Sequence, residues 1–84
     1  MKIHSDRIAW QEIDGELVLL DLVSSSYLTT NQTGAFLAKL LQEEHTRDEL
    51  ASALVAEYEI DEAQAGADTD SFLSALSELD LLES

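Results

Sequence analysis

The spacing of apolar residues changes near residue 30, and that change limits what the chain can fold into. From Ile8 to Ile13 apolar and polar residues roughly alternate, Ile8, Trp10 and Ile13 against Arg7, Gln11 and Glu12. Alternation is a strand signal, because successive strand side chains point to opposite faces. The run ends at Asp14-Gly15. Asp-Gly between two β-prone runs marks a two-residue hairpin, since both central positions of a type I′ turn need positive φ. Glu16 to Val23 reads as the second strand, and its more continuous apolar content predicts burial on both faces. Ser24-Ser25-Ser26 forms the next connection and Tyr27-Leu28-Thr29 a short third strand. The expectation is a three-stranded antiparallel meander.

Beyond residue 30 the spacing is helical. Thr30 or Asn31 can cap a first helix with the stripe Phe36, Leu37, Leu40 and Leu41, and Gly34 in its first turn allows another element to approach closely. Thr46-Arg47-Asp48-Glu49 is a capping box, in which Thr46 and Glu49 satisfy orphan amides reciprocally. It opens a second helix with the stripe Leu50, Ala53, Leu54 and Tyr58. Glu59-Ile60-Asp61 breaks the pattern, and Asp61 or Asp68 caps a third helix carrying Ala65, Thr69, Phe72, Leu73, Leu76 and Leu79. The fold class expected is α+β and winged-helix-like, a three-stranded antiparallel sheet followed by three helices. Residues 1–84 read as one domain, with the stretch around His4 as a flexible N-terminus.

Charge narrows the partners. Eighteen acids against four bases give a net −14. Residues 1–42 hold five acids and three bases, whereas residues 43–84 hold thirteen acids and one base, a net −12. Nucleic-acid affinity comes largely from Lys and Arg neutralising phosphates, and only Lys2, Arg7, Lys39 and Arg47 are available. The second and third helices would present Glu49, Glu57, Asp61, Glu62, Asp68, Asp70 and Glu78 against Arg47 alone, so phosphates would repel them. Anionic membranes are disfavoured on the same ground, and no apolar run approaches the roughly 20 residues of a span. Solubility or adaptation to salt accounts for the acids as well as a basic partner does. The absence of cysteine removes disulfides and thiolate chemistry, and no secretory signal is evident. The expected compartment is the cytoplasm.

The candidate catalytic patterns are weak. Ser24, Ser25 and Ser26 lack a nucleophile elbow, and the imidazoles of His4 and His45 lie in polar, terminal or connecting segments. Glu57-x-Glu59-x-Asp61 with Asp68 at the twelfth place mimics a calcium loop, but Glu62 stands where the sharp turn needs glycine. Asp68-Thr69-Asp70 suits a helix N-terminus better than a metal. No glycine-rich phosphate cradle is present. The chain reads as a non-enzyme with no cofactor and no metal.

Binding remains, and the third strand is the place for it. Between Val23 and Thr30 there is no Lys or Pro, devices that commonly blunt a sheet edge. An undefended edge accepts an added peptide strand through main-chain hydrogen bonds. The third helix could form the other wall with Ala65, Thr69, Phe72 and Leu76. From the pattern alone, Tyr27, Phe72 and Leu76 read more readily as core.

Leu19-Leu20-Asp21-Leu22, the Tyr27-Leu28 strand, Asn31-x-x-Gly34, the Thr46-x-x-Glu49-Leu50 box, Asp68-x-x-x-Phe72-Leu73-x-x-Leu76 and the terminal Leu81-Leu82 follow one another in a characteristic order. From about Ile8 to Leu82 the chain resembles the PqqD-like family, which includes stand-alone leader-peptide recognition proteins of ribosomally made, modified peptides. It departs from the family pattern at Thr30 (usually leucine), Ala38 (commonly tryptophan) and Asp80 (frequently glycine). The resemblance implies that a precursor's leader lies along the third strand, against the third helix. Ser25, Ser26, Tyr27, Leu28 and Thr29 would supply the edge, and Ala65, Asp68, Thr69, Phe72 and Leu76 the wall. Asp68 would suit a polar or cationic leader group, while Tyr27, Phe72 and Leu76 would receive apolar ones. The partners implied are a precursor leader peptide, a leader peptidase and a cyclase. Within the family the compact, early-starting N-terminus favours a lasso-peptide pathway, and a peptide chaperone of pyrroloquinoline quinone synthesis is the alternative. An acidic winged-helix interaction module and a carboxylate-type metal binder are the readings from other classes.

Overall fold

The first β-hairpin turn begins at Asp14, whose φ of 51° matches the positive φ required there. Its partner Gly15 lies outside the residues described by the computed structural model, which are 1–4, 6–14 and 16–83. The chain runs β1 (Lys2–Ile3), β2 (Ile8–Ile13), β3 (Glu16–Asp21), β4 (Tyr27–Thr29), α1 (Gln32–Leu40), α2 (Arg47–Tyr58), α3 (Glu62–Glu78) and β5 (Leu82–Glu83). Strands β2, β3 and β4 form the antiparallel meander in that order, with Trp10 opposite Leu19 and Leu19 opposite Leu28. Three helices follow, so the α+β architecture is the one the periodicity implies.

Strand β3 differs from expectation in length and in burial. It stops at Asp21 instead of Val23, and it buries one face: Leu17, Leu19 and Asp21 are buried while Glu16 and Leu20 are exposed. Leu22 and Val23 are 62% and 75% exposed. Asp21 causes the stop. Its carboxylate accepts the Val23 N–H at 2.9 Å and the Ser24 hydroxyl at 3.0 Å, bending the chain as short acidic side chains do. The Ser25 N–H then returns to the Asp21 carbonyl at 2.8 Å, with Ser25 at φ 63°.

The N-terminal segment is built into the fold rather than flexible. Lys2 and Ile3 of β1 pair with Glu83 and Leu82 of β5, the Ile3 N–H donates to the Leu41 carbonyl at 2.8 Å, and Ile3 is fully buried. The two strands stand at opposite ends of the chain, so no local pattern announces the pairing.

Each helix starts at a side-chain cap. Asn31 accepts the Gly34 N–H for α1, the Thr46–Glu49 box closes both of its bonds for α2, and Asp61 accepts the Gln64 N–H for α3. Between the sheet and the helices lie Leu17 and Leu19, Leu37, Ala38 and Leu41, Leu50 and Leu54, and Ala65 and Leu76, closed by Ile3 and Leu81. Burying each leucine contributes about 1.5–3 kcal/mol. Thr30 and Ala38 pack into this layer, and the Thr30 hydroxyl donates to the Leu17 carbonyl at 2.9 Å.

Candidate peptide-binding groove

The hydrogen-bond parity of β4 decides which backbone groups are free. Opposed residues in an antiparallel ladder alternate between hydrogen-bonded and non-bonded pairs. The Asp21 N–H donates to the Ser26 carbonyl and the Thr30 N–H to the Leu17 carbonyl, so residues 26, 28 and 30 turn their amides and carbonyls towards β3. Tyr27 and Thr29 therefore direct theirs to the outer edge. Ser25 and Ser26 belong to the turn: the Ser25 amide is used on Asp21, and the Ser26 N–H donates to the Ser24 hydroxyl at 3.3 Å. The edge offered for pairing is thus shorter than Ser25 to Thr29.

Beside this edge runs a groove of about 300 Å³. Leu28, Thr29 and Thr30 form one side, Asn31, Thr33 and Gly34 the end at the start of α1, and Asp68, Ser71, Phe72 and Ala75 the α3 side. Gly34 makes this junction possible. A Cβ there would lie 3.1 Å from Thr30 Cβ and 3.3 Å from Phe72 Cδ1, tighter than ordinary packing allows.

Of the wall residues expected from the sequence, Asp68 and Phe72 line the groove, whereas Ala65, Thr69 and Leu76 are fully buried and expose no surface to it. Tyr27 is 68% exposed, and its side chain shares the outer sheet face with Leu20, its cross-strand partner. Ser71 and Ala75 were not singled out by the sequence. They belong with Asp68 and Phe72 to a stripe one residue removed from the core stripe, about 100° round the helix, and Phe72 lies where the two meet.

Electrostatics set this edge apart from its counterpart. At β2, on the other side of the sheet, Lys39 Nζ and Glu12 Oε1 pair at 2.6 Å beside Trp10, and such charges protect an edge from pairing. Among the described residues no Lys, Arg or His lines the groove beside β4. Elsewhere Arg47 joins α2 to α3 through Asp70, at 2.8 and 3.0 Å, with its guanidinium over Gly66. That hydrogen bond holds the Asp70 carboxyl below the usual carboxylate range. The Val23 N–H, followed by the Ser24 hydroxyl and Arg7, likewise keeps the Asp21 carboxyl low. Among the described residues no group of three or more His, Asp or Glu side chains could hold a metal ion, and Glu57 to Asp68 is helix on either side of a short connection. No helix among them is long and apolar enough to cross a membrane.

The family model for coenzyme PQQ synthesis protein D (PqqD) matches residues 16–82. The chain belongs to the PqqD family. Two solved structures share the fold of this PqqD-family chain over nearly its whole length. One is TbiB1 in complex with the TbiA(beta) leader peptide, with a TM-score of 0.84 and 37% identity, covering 100% of this chain and 96% of that one. The other is a lasso peptide synthetase B1 complexed with the leader peptide, with a TM-score of 0.79 and 26% identity, covering 99% and 96%. Comparison with curated proteins gave no match.

Proposed function

We propose that this chain recognises the leader of a ribosomally made precursor peptide, holding it as a fourth strand on β4, against α3, in a lasso-peptide pathway. The observation that carries this reading is the edge at Tyr27 and Thr29, unpaired among the described residues and bordered by a groove with Leu28 and Phe72 on facing sides. A strand added there gains main-chain hydrogen bonds from the edge and puts alternate side chains into the groove. Full-length similarity to two B1 proteins solved with leader peptides supports the same use. The pyrroloquinoline quinone branch stays as a second reading because the matching family model carries that description.

In this reading residues 1–84 act as one recognition unit in the cytoplasm, do no chemistry of their own, and present the bound precursor to a separate leader peptidase and then a cyclase. Tyr27, Leu28, Thr29, Asp68, Phe72 and the newly recognised Ser71 and Ala75 make the contacts. Nucleic acid and membrane have no part in it.

Reading the open reading frames that neighbour this chain's gene for a short precursor and titrating its leader segment tests the proposal, with the TbiA(beta) leader as comparator. Binding at micromolar or lower concentration, with the Tyr27 and Thr29 amides gaining protection from hydrogen exchange, is the expected result. No binding of the neighbouring leader at micromolar protein overturns it.

A further inference from the structure

Arg7, the residue before β2, reaches both elements that flank the groove. Its Nη2 donates to the Asp80 carbonyl, just past the end of α3, and lies 3.4 Å from Asp80 Oδ2. Its Nε stands 3.9 Å from Oδ1 of Asp21, a carboxylate only 3% exposed. That carboxylate holds the turn at Val23 and Ser24, and the Asp21 N–H donates to the Ser26 carbonyl just before β4 begins. The Arg7 carbonyl adds a bond of 2.8 Å from the Leu22 N–H. One guanidinium thus joins the C-terminal end of α3 to the turn that delivers β4.

The walls meet again at Gly34, where Phe72 of α3 and Thr30, the residue after β4, both approach closely. Helix α3 therefore runs antiparallel to β4, joined to it near Phe72 by packing and near Asp80 through Arg7. The two spans are similar, about 10 Å from Phe72 to Leu79 along the helix and about 13 Å from Ser26 to Thr30 along the strand. Leu28 and Ala75, which line the groove, lie between the two junctions. At Gly34 packed atoms set the width, whereas at the other end it follows the reach of one side chain. Arginine suits that place, because its planar fork presents separate donors to two acceptors and a lysine ammonium is a single point. Walls already held at the bound spacing spare a peptide the cost of ordering them. We propose that Arg7 is a positioning residue for peptide capture: by bridging Asp21 and Asp80 it fixes the groove's width where β4 begins, and so sets leader affinity without touching the peptide. This inference rests on the leader-binding reading above.

Three variants test it. Arg7→Lys keeps the charge and Arg7→Gln removes it, while Arg47→Gln removes an equal charge from the pair with Asp70 that joins α3 to α2. The chain has no cysteine, so spin labels on Val23→Cys and Glu78→Cys, both exposed positions, report the distance across this end of the groove. Electron–electron resonance should give a narrow distance distribution in the otherwise unmodified chain and in Arg47→Gln, and a broad one in both Arg7 variants. The leader segment of the precursor from the neighbouring reading frames, titrated where circular dichroism shows each variant folded, should bind the Arg7 variants about 2- to 30-fold more weakly. Its affinity for Arg47→Gln should stay within about twofold of the unmodified chain. Saturating leader should narrow the distribution again in Arg7→Lys. Arg7 variants that fail to fold, that bind the leader normally, or that keep a narrow distribution show a contact of the fold alone and overturn this inference, leaving leader binding standing. An equal loss in Arg47→Gln traces the effect to net charge and overturns it too. No binding to the unmodified chain overturns both readings.

Discussion

Asp80 holds φ 55°, a left-handed conformation costly for any residue with a Cβ. It stands just past the C-cap of α3, where the Leu81 N–H donates to the Leu76 carbonyl at 2.9 Å and the Asp80 N–H to the Ser77 carbonyl at 3.1 Å. Those two bonds make a Schellman motif, whose turning residue is most often glycine. Asp80 thus stands where glycine fits best. Asp80→Gly should raise stability by about 0.5–1 kcal/mol, read as a shift in thermal midpoint. The Arg7 bond to the Asp80 carbonyl survives the change, and only the longer contact to Oδ2, at 3.4 Å, is lost. A midpoint that falls would show that the Arg7 pairing outweighs the backbone strain. At this scale the sequence told much. Asn31, Thr46 and Asp61 all act as caps, because capping depends on a few neighbouring residues. Asp21 did not announce its role as the residue that stops β3, since an acid inside an apolar run can either extend a strand or bend it.

The elements tell a different story. The meander and the three helices were readable from periodicity, but the groove wall was not. Helix α3 carries a core stripe through Ala65, Thr69 and Leu76 and a groove stripe through Asp68, Ser71 and Ala75. Only the packing of α3 beside β4 decides which stripe faces the edge. The pairing of β1 with β5 escaped for the same reason, being a contact between distant segments. Two pairs of substitutions separate groove from core. Thr29→Pro removes an outward donor and should weaken leader binding at least about tenfold with little change in melting, because edge positions tolerate proline. Leu28→Pro removes a donor directed at β3 and should melt early. Leu76→Ala should cost about 2–5 kcal/mol of folding stability. Phe72→Ala should instead weaken leader binding by about 1–3 kcal/mol, as truncated anchors do. Melting curves and leader titrations on all four decide the matter. Normal leader affinity in both Thr29→Pro and Phe72→Ala would place the peptide elsewhere.

Across the whole molecule, the net −14 opposes compaction, and a chain of 84 residues without disulfides has little stability to spare. Its extents are 36 × 30 × 19 Å. The Debye length falls from about 30 Å at 0.01 M salt to about 10 Å at 0.1 M. At the lower concentration each acid is repelled by acids across the molecule, and at the higher one mainly by near neighbours. Salt also weakens the ion pairs of Lys39 and Arg47, but exposed pairs contribute little, so relief of repulsion should win. Sodium chloride at pH 7 should therefore raise the melting temperature, a gain of about 1 kcal/mol appearing as about 4–8 °C. Acid acts in the opposite sense on particular carboxylates. Glu49, held low chiefly by the Thr46 N–H, and Asp21 and Asp70 all titrate below their ordinary values of 4.5, 3.8 and 3.8. Their contribution is complete above those values and is lost as pH falls through the lower folded ones. The share of stability carried by these three carboxylates should be lost as pH falls below 4.5, so thermal midpoints followed from pH 5 to 2.5 should drop less in Asp21→Asn than in the unmodified chain. A midpoint that falls as salt is added at pH 7 would mean that the few ion pairs, not the crowd of acids, govern the stability of this chain.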